Sequence, residues 1–372
     1  MTPPVGVYIH IPFCRHKCFY CDFHSVTDSE GLIAEYVNAV VSEIKYRAKA
    51  DGGHRVASIF FGGGTPSLLK PAQAQKIITA VTKNYEVEPG AEITIEANPE
   101  SLTPSKLRGY LEAGVNRVSI GVQSLNDDLL KRLDRIHSKE QALTAIKQAF
   151  DAGYINVSAD MMFGLPGQSV SGWQSVSGWI EELDELTASF PLSHISCYQL
   201  TPEPGTPLGR HVARGSIELP EDGAEFFDKT ERFLEKRGFG HYEISNYARP
   251  GYESVHNVGY WEYRDYIGIG AGAHSLMEGE RWANVKSIAP YIAKINRTGH
   301  AVRRRESLTK QMIQTEKLML GLRLKKGISL EGIAITKGIT KMLSTGMLKK
   351  TRTHLLATAK GWRVLDSTLA EL

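Results

Sequence analysis

Apolar and polar residues alternate with a period of two in several short runs of this chain, and longer helix-like runs separate them. In residues 92–98, Thr94, Glu96 and Asn98 alternate with Ile93, Ile95 and Ala97. In 117–123, Ser119, Gly121 and Gln123 alternate with Val118, Ile120 and Val122, and 155–163 repeats the pattern around Ser158 and Asp160. A period of two is the mark of a strand with unlike faces. Runs 5–11, 56–61 and 194–200 complete a set of six predicted strands. Helices are predicted over 32–48, 71–84, 104–113, 126–133 with 139–152, about 170–186, and 221–237. Such β-α repetition implies a parallel sheet with right-handed crossovers. The polar alternation favours a sheet curled around a polar lumen over a doubly wound sheet, whose strands read as continuous apolar runs.

The rhythm changes after His241. HYEISNYARPG, HNVGYW and GIGAGAHS are rich in glycine, aromatics and polar residues. From about Ser307 the pattern reads helix (312–323), helix (around Leu330), helix (339–347), hairpin (349–357) and a last helix (362–372). The expected architecture is therefore α/β: a partial (β/α)6 barrel over residues 1–240, a small mixed α+β extension over 241–300, and a C-terminal winged-helix-like domain over 301–372.

Composition adds little, with 42% hydrophobic and 23% charged residues in 372, the profile of an ordinary globular protein. The net charge of +3 hides an asymmetry. Between Arg297 and Arg352, 14 Lys and Arg stand against 3 Asp and Glu. The basic tail invites a nucleic-acid reading, but winged helices also serve as packing domains, and nucleic acid is not the expected partner. The run at 303–306, RRRE, could instead meet the carboxylates of a ligand, anionic lipid or a partner protein. No secretory signal or membrane-spanning stretch is visible. Four cysteines, three of them clustered, are not a disulfide framework, and a reducing cytoplasm is expected.

Those three are Cys14, Cys18 and Cys21, spaced C-x3-C-x2-C just after the first strand. Four-iron clusters are normally held by four cysteines, so three would leave one iron open. A structural zinc site, or a redox dithiol of Cys18 and Cys21, is the alternative. Arg15, His16 and Lys17 would favour the thiolate forms. Cys197, mid-strand, reads as a small buried residue.

The cysteine run, with Tyr20 before its last member, resembles the radical S-adenosylmethionine (SAM) superfamily. YIHIPFC, FFGGGTPS, IEANPES, SIGVQS and DMMFGLPGQ resemble its branch of oxygen-independent coproporphyrinogen III dehydrogenases and relatives. YEISNYARPG, HNVGYW and GIGAGAHS resemble the heme chaperones of that branch. The resemblance implies a [4Fe-4S] cluster on Cys14, Cys18 and Cys21. It implies SAM contacts from Tyr8, Gly63, Gly64, Thr65, Glu96, Gln123, Arg135 and Asp160. Without it, the glycine run reads as a tight turn, Glu96, Gln123 and Asp160 as a polar lumen network, and Arg135 as a surface arginine. His256 of HNVGYW is the candidate heme contact, with a structural His–Asn turn as the other reading. His241 and His274 are candidates of the same kind.

Two functions follow as expectations. One is a heme chaperone that carries heme as cargo to acceptors such as respiratory-chain hemoproteins, with peripheral membrane association and a dimer both open to it. The other is decarboxylation of coproporphyrinogen III. Those enzymes resemble this chain but carry a fourth cysteine two residues after the third, where this chain has Phe23, and they lack HNxxYW. Both differences favour the chaperone.

Overall fold

The computed structural model describes residues 3–27, 29–168, 175–220 and 223–369. Six β-α units lead the chain. They comprise β1 (Val5–Ile11), α1 (Ile33–Ala50), β2 (Arg55–Gly63), α2 (Pro71–Asn84), β3 (Glu86–Ala97) and α3 (Pro104–Glu112). Next come β4 (Arg117–Gln123), α4 (Asp127–Arg132), α5 (Lys139–Asp151), β5 (Asn156–Phe163), α6 (Val176–Ser189), β6 (His194–Gln199), α7 (Pro207–Ala213) and α8 (Gly223–Lys236). Local chemistry marks the helix starts. Thr103 caps α3 ahead of Pro104, and Ser138 forms a capping box with Gln141 at α5, each satisfying amide groups that a helix leaves free.

The extension contains β7 (Gly240–Glu243), β8 (Asn246–Ala248), α9 (Val255–Trp261), β9 (Tyr266–Ile269), β10 (His274–Met277), β11 (Glu280–Asn284), α10 (Ile288–Thr298) and β12 (Val302–Ser307). Its strands continue the barrel sheet. The order is β12-β11-β10-β9-β1-β2-β3-β4-β5-β6-β8-β7, with β1 to β6 parallel and β9 parallel to β1. The sheet is curled but open, a partial barrel, and β12 with its exposed Arg303, Arg304 and Arg305 lies at one edge.

A C-terminal unit follows: α11 (Lys310–Gly321), β13 (Ile328–Ser329), α12 (Lys337–Ser344), β14 (Leu348–Lys350), β15 (His354–Ala357), α13 (Ala359–Arg363) and α14 (Leu365–Leu369). Its three-stranded sheet, ordered β13-β15-β14, gives it a winged-helix character.

Two helices are added to the expected elements and one expectation is corrected. Between the predicted strand 194–200 and the predicted helix 221–237 lies helix α7, started by Thr206 as cap and Pro207 in the first turn. HNVGYW lies within a helix, α9, capped by Ser254. The region of Leu330 is not helical, and the chain pairs instead as β13 with β15. The predicted starts of helices at 170 and 221, and the last residues of the predicted 362–372 helix, lie outside the described residues.

The charge asymmetry has a structural use. Arg323 pairs with Glu243, Lys325 with Glu231 and Glu235, Lys326 with Glu262, and Arg363 with Asp228. The basic tail thus faces acidic groups of α8, β7 and the α9 end. The lysine pairs and the Arg363 pair are partly exposed and worth only about 0–1 kcal/mol each, whereas Glu243 is fully buried, and apolar packing adds to the attachment. Phe227 and Ile244 pack on the C-terminal core of Leu318, Leu322, Met342 and Trp362, and the Arg323 guanidinium lies 4.5 Å from the Trp261 ring centroid.

The extension is fixed to the barrel by a fully buried carboxylate. Glu43 of α1 accepts hydrogen bonds from Gly270 N (2.9 Å), Tyr291 OH (2.7 Å) and Asn284 Nδ2 (2.7 Å). Beside it, Tyr36 OH donates to His10 O and accepts from Ala271 N, both at 2.8 Å. Gly270 has φ +107°, and a Cβ there would lie 2.6 Å from Tyr36 Oη, so only glycine suits the position. Burial raises the Glu43 pKa, and the Tyr291 hydroxyl opposes that rise. Removing an acceptor that serves three buried donors is among the more damaging changes a core can suffer. Glu43→Ala is expected to lower stability by about 3–5 kcal/mol, measured by urea unfolding against wild type.

Candidate functional site

The strand register stacks the polar lumen in layers. Tyr8, Phe60, Thr94 and Arg117 are successive neighbours across β1 to β4, as are Glu96, Ser119, Ser158 and His194 across β3 to β6. Asp160 sits between Gly121 and Ser196. Three hydroxyls converge on its carboxylate: Ser196 Oγ at 2.7 Å, Ser119 Oγ at 3.0 Å and Ser158 Oγ at 3.5 Å. Burial raises the Asp160 pKa, and the Ser196 hydrogen bond opposes it. Glu96, on β3 two strands away, is pushed up to about 8 by burial and then by the Asp160 charge, with the Gly63 amide opposing. Glu96 is therefore largely protonated at neutral pH.

At the C-terminal ends of these strands the chain bends to form the thiol loop. Cys14 is buried, Cys18 and Cys21 are partly exposed, and all are free thiols. Residues 62–65 lie against this loop. Gly64 N and Thr65 N donate to Ile11 O and Phe13 O, and Thr65 Oγ1 lies 3.4 Å from Cys14 Sγ. A Cβ on Gly64 would come within 2.7 Å of Phe13 O and 2.9 Å of Cys14 Sγ, so the cradle around this thiol exists only with glycine there. Gly63 N donates to Glu96 Oε2 at 3.3 Å, linking the cradle to the lumen carboxylate.

Arg135 belongs to this site and is not a free surface side chain. It donates to Gly121 O (3.0 Å), Asn98 Oδ1 (3.1 Å) and Cys18 Sγ (3.7 Å), and its buried Nε has no partner among the described residues. Arg15 and His16 of the run 15–17 are turned to acidic partners and do not supply the positive charge beside the thiols. Arg15 pairs with Glu30 and His16 with Asp134. Burial raises the Cys18 pKa, and the largest opposing influence is Arg135. Burial also raises Cys21, with Lys17 only a minor opposing charge. Gln123 ends β4 with φ +67°, a sparsely populated conformation for a side-chain-bearing residue.

Tyr8, Gly63, Gly64, Thr65, Glu96, Gln123, Arg135 and Asp160 therefore lie along the lumen and mouth next to the three thiols. Sequence reasoning missed Asn98, whose amide donates to Thr65 Oγ1 while its oxygen accepts from Arg135. Its place two residues after Glu96 on the lumen face was the available signal. It also missed the buried Arg117–Glu92 pair, 3.8 Å apart.

His256 is elsewhere. It packs against Gly6 and Ser58, at the starts of β1 and β2 and so at the opposite end of the barrel from the thiols. Its Nδ1 is 2.9 Å from Ser58 Oγ and its Nε2 3.1 Å from Tyr260 OH, and its ring stacks on Phe60 at 4.9 Å. Burial, then Arg117, pushes its pKa down to about 3. With both ring nitrogens engaged inside the barrel floor, in a capped helix rather than a turn, His256 is not presented to an iron. His241 is likewise occupied, by Glu231 and Ile244 O. His274 lies exposed at the start of β10.

The thiol loop follows the first strand of a partial barrel, with a glycine cradle beside it. Fold and site together are those of the radical SAM class, and residues 8–179 match the family described as the radical SAM superfamily. Heme chaperone HemW of Bacillus subtilis (strain 168) is 37% identical, over 87% of this chain and 84% of its own length. Heme chaperone HemW of Lactococcus lactis is 32% identical over 98% and 96%. The mitochondrial radical S-adenosyl methionine domain-containing protein 1 of Danio rerio is 39% identical over 87% and 74%. The chain belongs to the HemW family. In fold it is similar to coproporphyrinogen III oxidase (HemN) of Escherichia coli, with a TM-score of 0.83 and 22% identity over 100% of this chain and 90% of that one.

The raised Glu96 pKa has a sign that can be checked. Between pH 4.5 and about 8 the folded protein keeps a proton on Glu96 that the unfolded chain releases. Its contribution to stability is full below pH 4.5 and is lost as pH rises through 8. Glu96→Gln is therefore expected to gain stability relative to wild type on going from pH 5 to pH 8.5, measured by thermal unfolding at both pH values.

Proposed function

We propose that this chain is a heme chaperone that holds a [4Fe-4S] cluster on Cys14, Cys18 and Cys21, binds SAM beside it, and passes bound heme to acceptor proteins, respiratory-chain hemoproteins among them. The relatives named heme chaperone support this reading. The observation that carries it is at Phe23, two residues past the third thiol. There the chain offers an exposed aromatic in place of a fourth thiol, while its remaining cysteine, Cys197, is buried in β6. When bound, such a cluster supplies an open iron position for SAM and an electron source.

The donor set suits this assignment. Cys14, Cys18 and Cys21 are all free thiols within one short loop, the soft donors an iron–sulfur cluster takes. Arg135 offsets thiolate charge at Cys18. The 63–65 amides are spent on Glu96, Ile11 and Phe13, but the bare glycines leave room beside the thiols, and Gln123 and the Arg135 Nε, unpartnered among the described residues, would meet the polar end of SAM there. Asp160, pre-oriented by its serines, offers a fixed acceptor for ribose hydroxyls, and protonated Glu96 can donate as well as accept. The reading carries with it residence in the cytoplasm, where free thiols persist.

A second reading is enzymatic: decarboxylation of coproporphyrinogen III propionates in the same lumen. The observation in its favour is the Tyr8–His10 pair beside Glu96. Tyr8 OH donates to His10 Nδ1 at 3.1 Å, and His10 is held neutral by burial, with its pKa lowered to about 4. Such groups can move protons, which a carrier does not require.

One set of measurements separates the readings. Anaerobic reconstitution is expected to load about four irons per chain in wild type and to fail in Cys18→Ser. The loaded protein with SAM and reductant is expected to leave coproporphyrinogen III unchanged and to bind hemin. Turnover to protoporphyrinogen IX would establish the enzymatic reading instead.

A further inference from the structure

Part of the barrel mouth is not used by the SAM site. Phe23 is 72% exposed, an unusual position for a large aromatic, and its carbonyl is held by Lys17 Nζ at 3.2 Å. The next ring, His24, stacks on His10 at 5.7 Å and 16° and is pinned by its Nε2 to Lys286 O at 2.7 Å. The Gly272 backbone lies between them. A Cβ there would be 3.0 Å from His24 Cδ2 and 3.6 Å from Lys286 Cγ, which places the imidazole and the lysine side by side. Lys286 is exposed.

His274, two residues beyond Gly272, completes the group. It is exposed, and among the described residues no hydrogen bond engages either of its ring nitrogens. Burial and the charges of Lys286 and Arg281 hold its pKa below the ordinary histidine value, so the ring is neutral at pH 7. His24 and His274 both stand near enough to His10 to disfavour its protonation. The rim thus presents a neutral, unengaged imidazole, a cation and an apolar ring. Those are the groups a heme asks for: an axial ligand, a partner for a propionate and a face for the macrocycle.

We propose that heme docks on this rim, with His274 as axial ligand to iron, Phe23 against the macrocycle and Lys286 on a propionate. The assignment rests on the heme-binding reading above and replaces His256 as the iron contact. It sets the cargo at the mouth next to Cys21, so that the Cys21–His24 loop touches both the cluster site and the heme.

The test is a hemin titration into cluster-loaded protein, read as Soret difference spectra with electron paramagnetic resonance of the heme iron. Wild type is expected to bind with a histidine-ligand signature. His274→Ala is expected to bind about tenfold or more weakly and to lose that signature, with iron content and thermal unfolding unchanged as proof that it is folded. Phe23→Ala and Lys286→Glu are each expected to weaken binding by several-fold without loss of the ligand signature. Wild-type affinity and spectrum in His274→Ala would overturn the assignment and leave the chaperone reading standing. A wild-type protein that binds no hemin would overturn that reading, and this one with it.

Discussion

The contact on which the barrel mouth depends is made on the far side of the sheet, by Glu43 and Tyr36 of α1. Six parallel strands do not close a barrel by themselves. The open edge of β1 is covered because β9 joins it, and β9 is held there by the loop at 270–273. That loop reaches Glu43 through Gly270 N and Asn284, and reaches Tyr36 through Ala271 N. Because Tyr36 also donates to His10 O, one helix sets the end of β1 and the start of β10 together. The thiol loop leaves from the first, and His274 stands on the second. A buried carboxylate is an expensive fastener, tolerable only when its acceptor positions are filled, and here three donors converge on it.

Within the lumen the same logic governs two other carboxylates, with different results. Asp160 collects three serine hydroxyls and is a fixed acceptor. Glu96 has one amide partner and a charged neighbour, and it keeps its proton into the neutral range. Two acids on β3 and β5, with β4 between them, thus present different hydrogen-bonding faces to whatever occupies the cavity. Between floor and mouth runs a column of rings: His256, Tyr8, His10 and His24, with successive centroids 6.2, 5.9 and 5.7 Å apart. The column joins the HNVGYW helix to the thiol loop.

The six β-α units were legible because period-two alternation reports a two-faced strand directly, and Glu96, Gln123 and Asp160 stood out as polar members of apolar strands. The thiol triad was equally plain from spacing alone. What failed to show was whatever depends on partners distant in sequence. His256 is a candidate ligand only through its motif's resemblance, and its partners Ser58 and Glu92, 198 and 164 residues away, do not show in the sequence. The basic tail read as a possible anion footprint because its counter-charges sit in α8, β7 and the end of α9. Helices α7 and α9 were hidden by proline, glycine and histidine, residues that weaken helix propensity yet are tolerated in short helices with a good cap.

The arginines of β12 have a consequence for the free chain. A twelve-stranded sheet that does not close keeps an unpaired outer strand, whose amides and carbonyls could template the addition of another molecule's strand. Residues 303–305 place three consecutive positive charges along that border. A second copy brought edge to edge would set arginine against arginine. The opposite border is β7, a strand of only four residues that offers little length to template on.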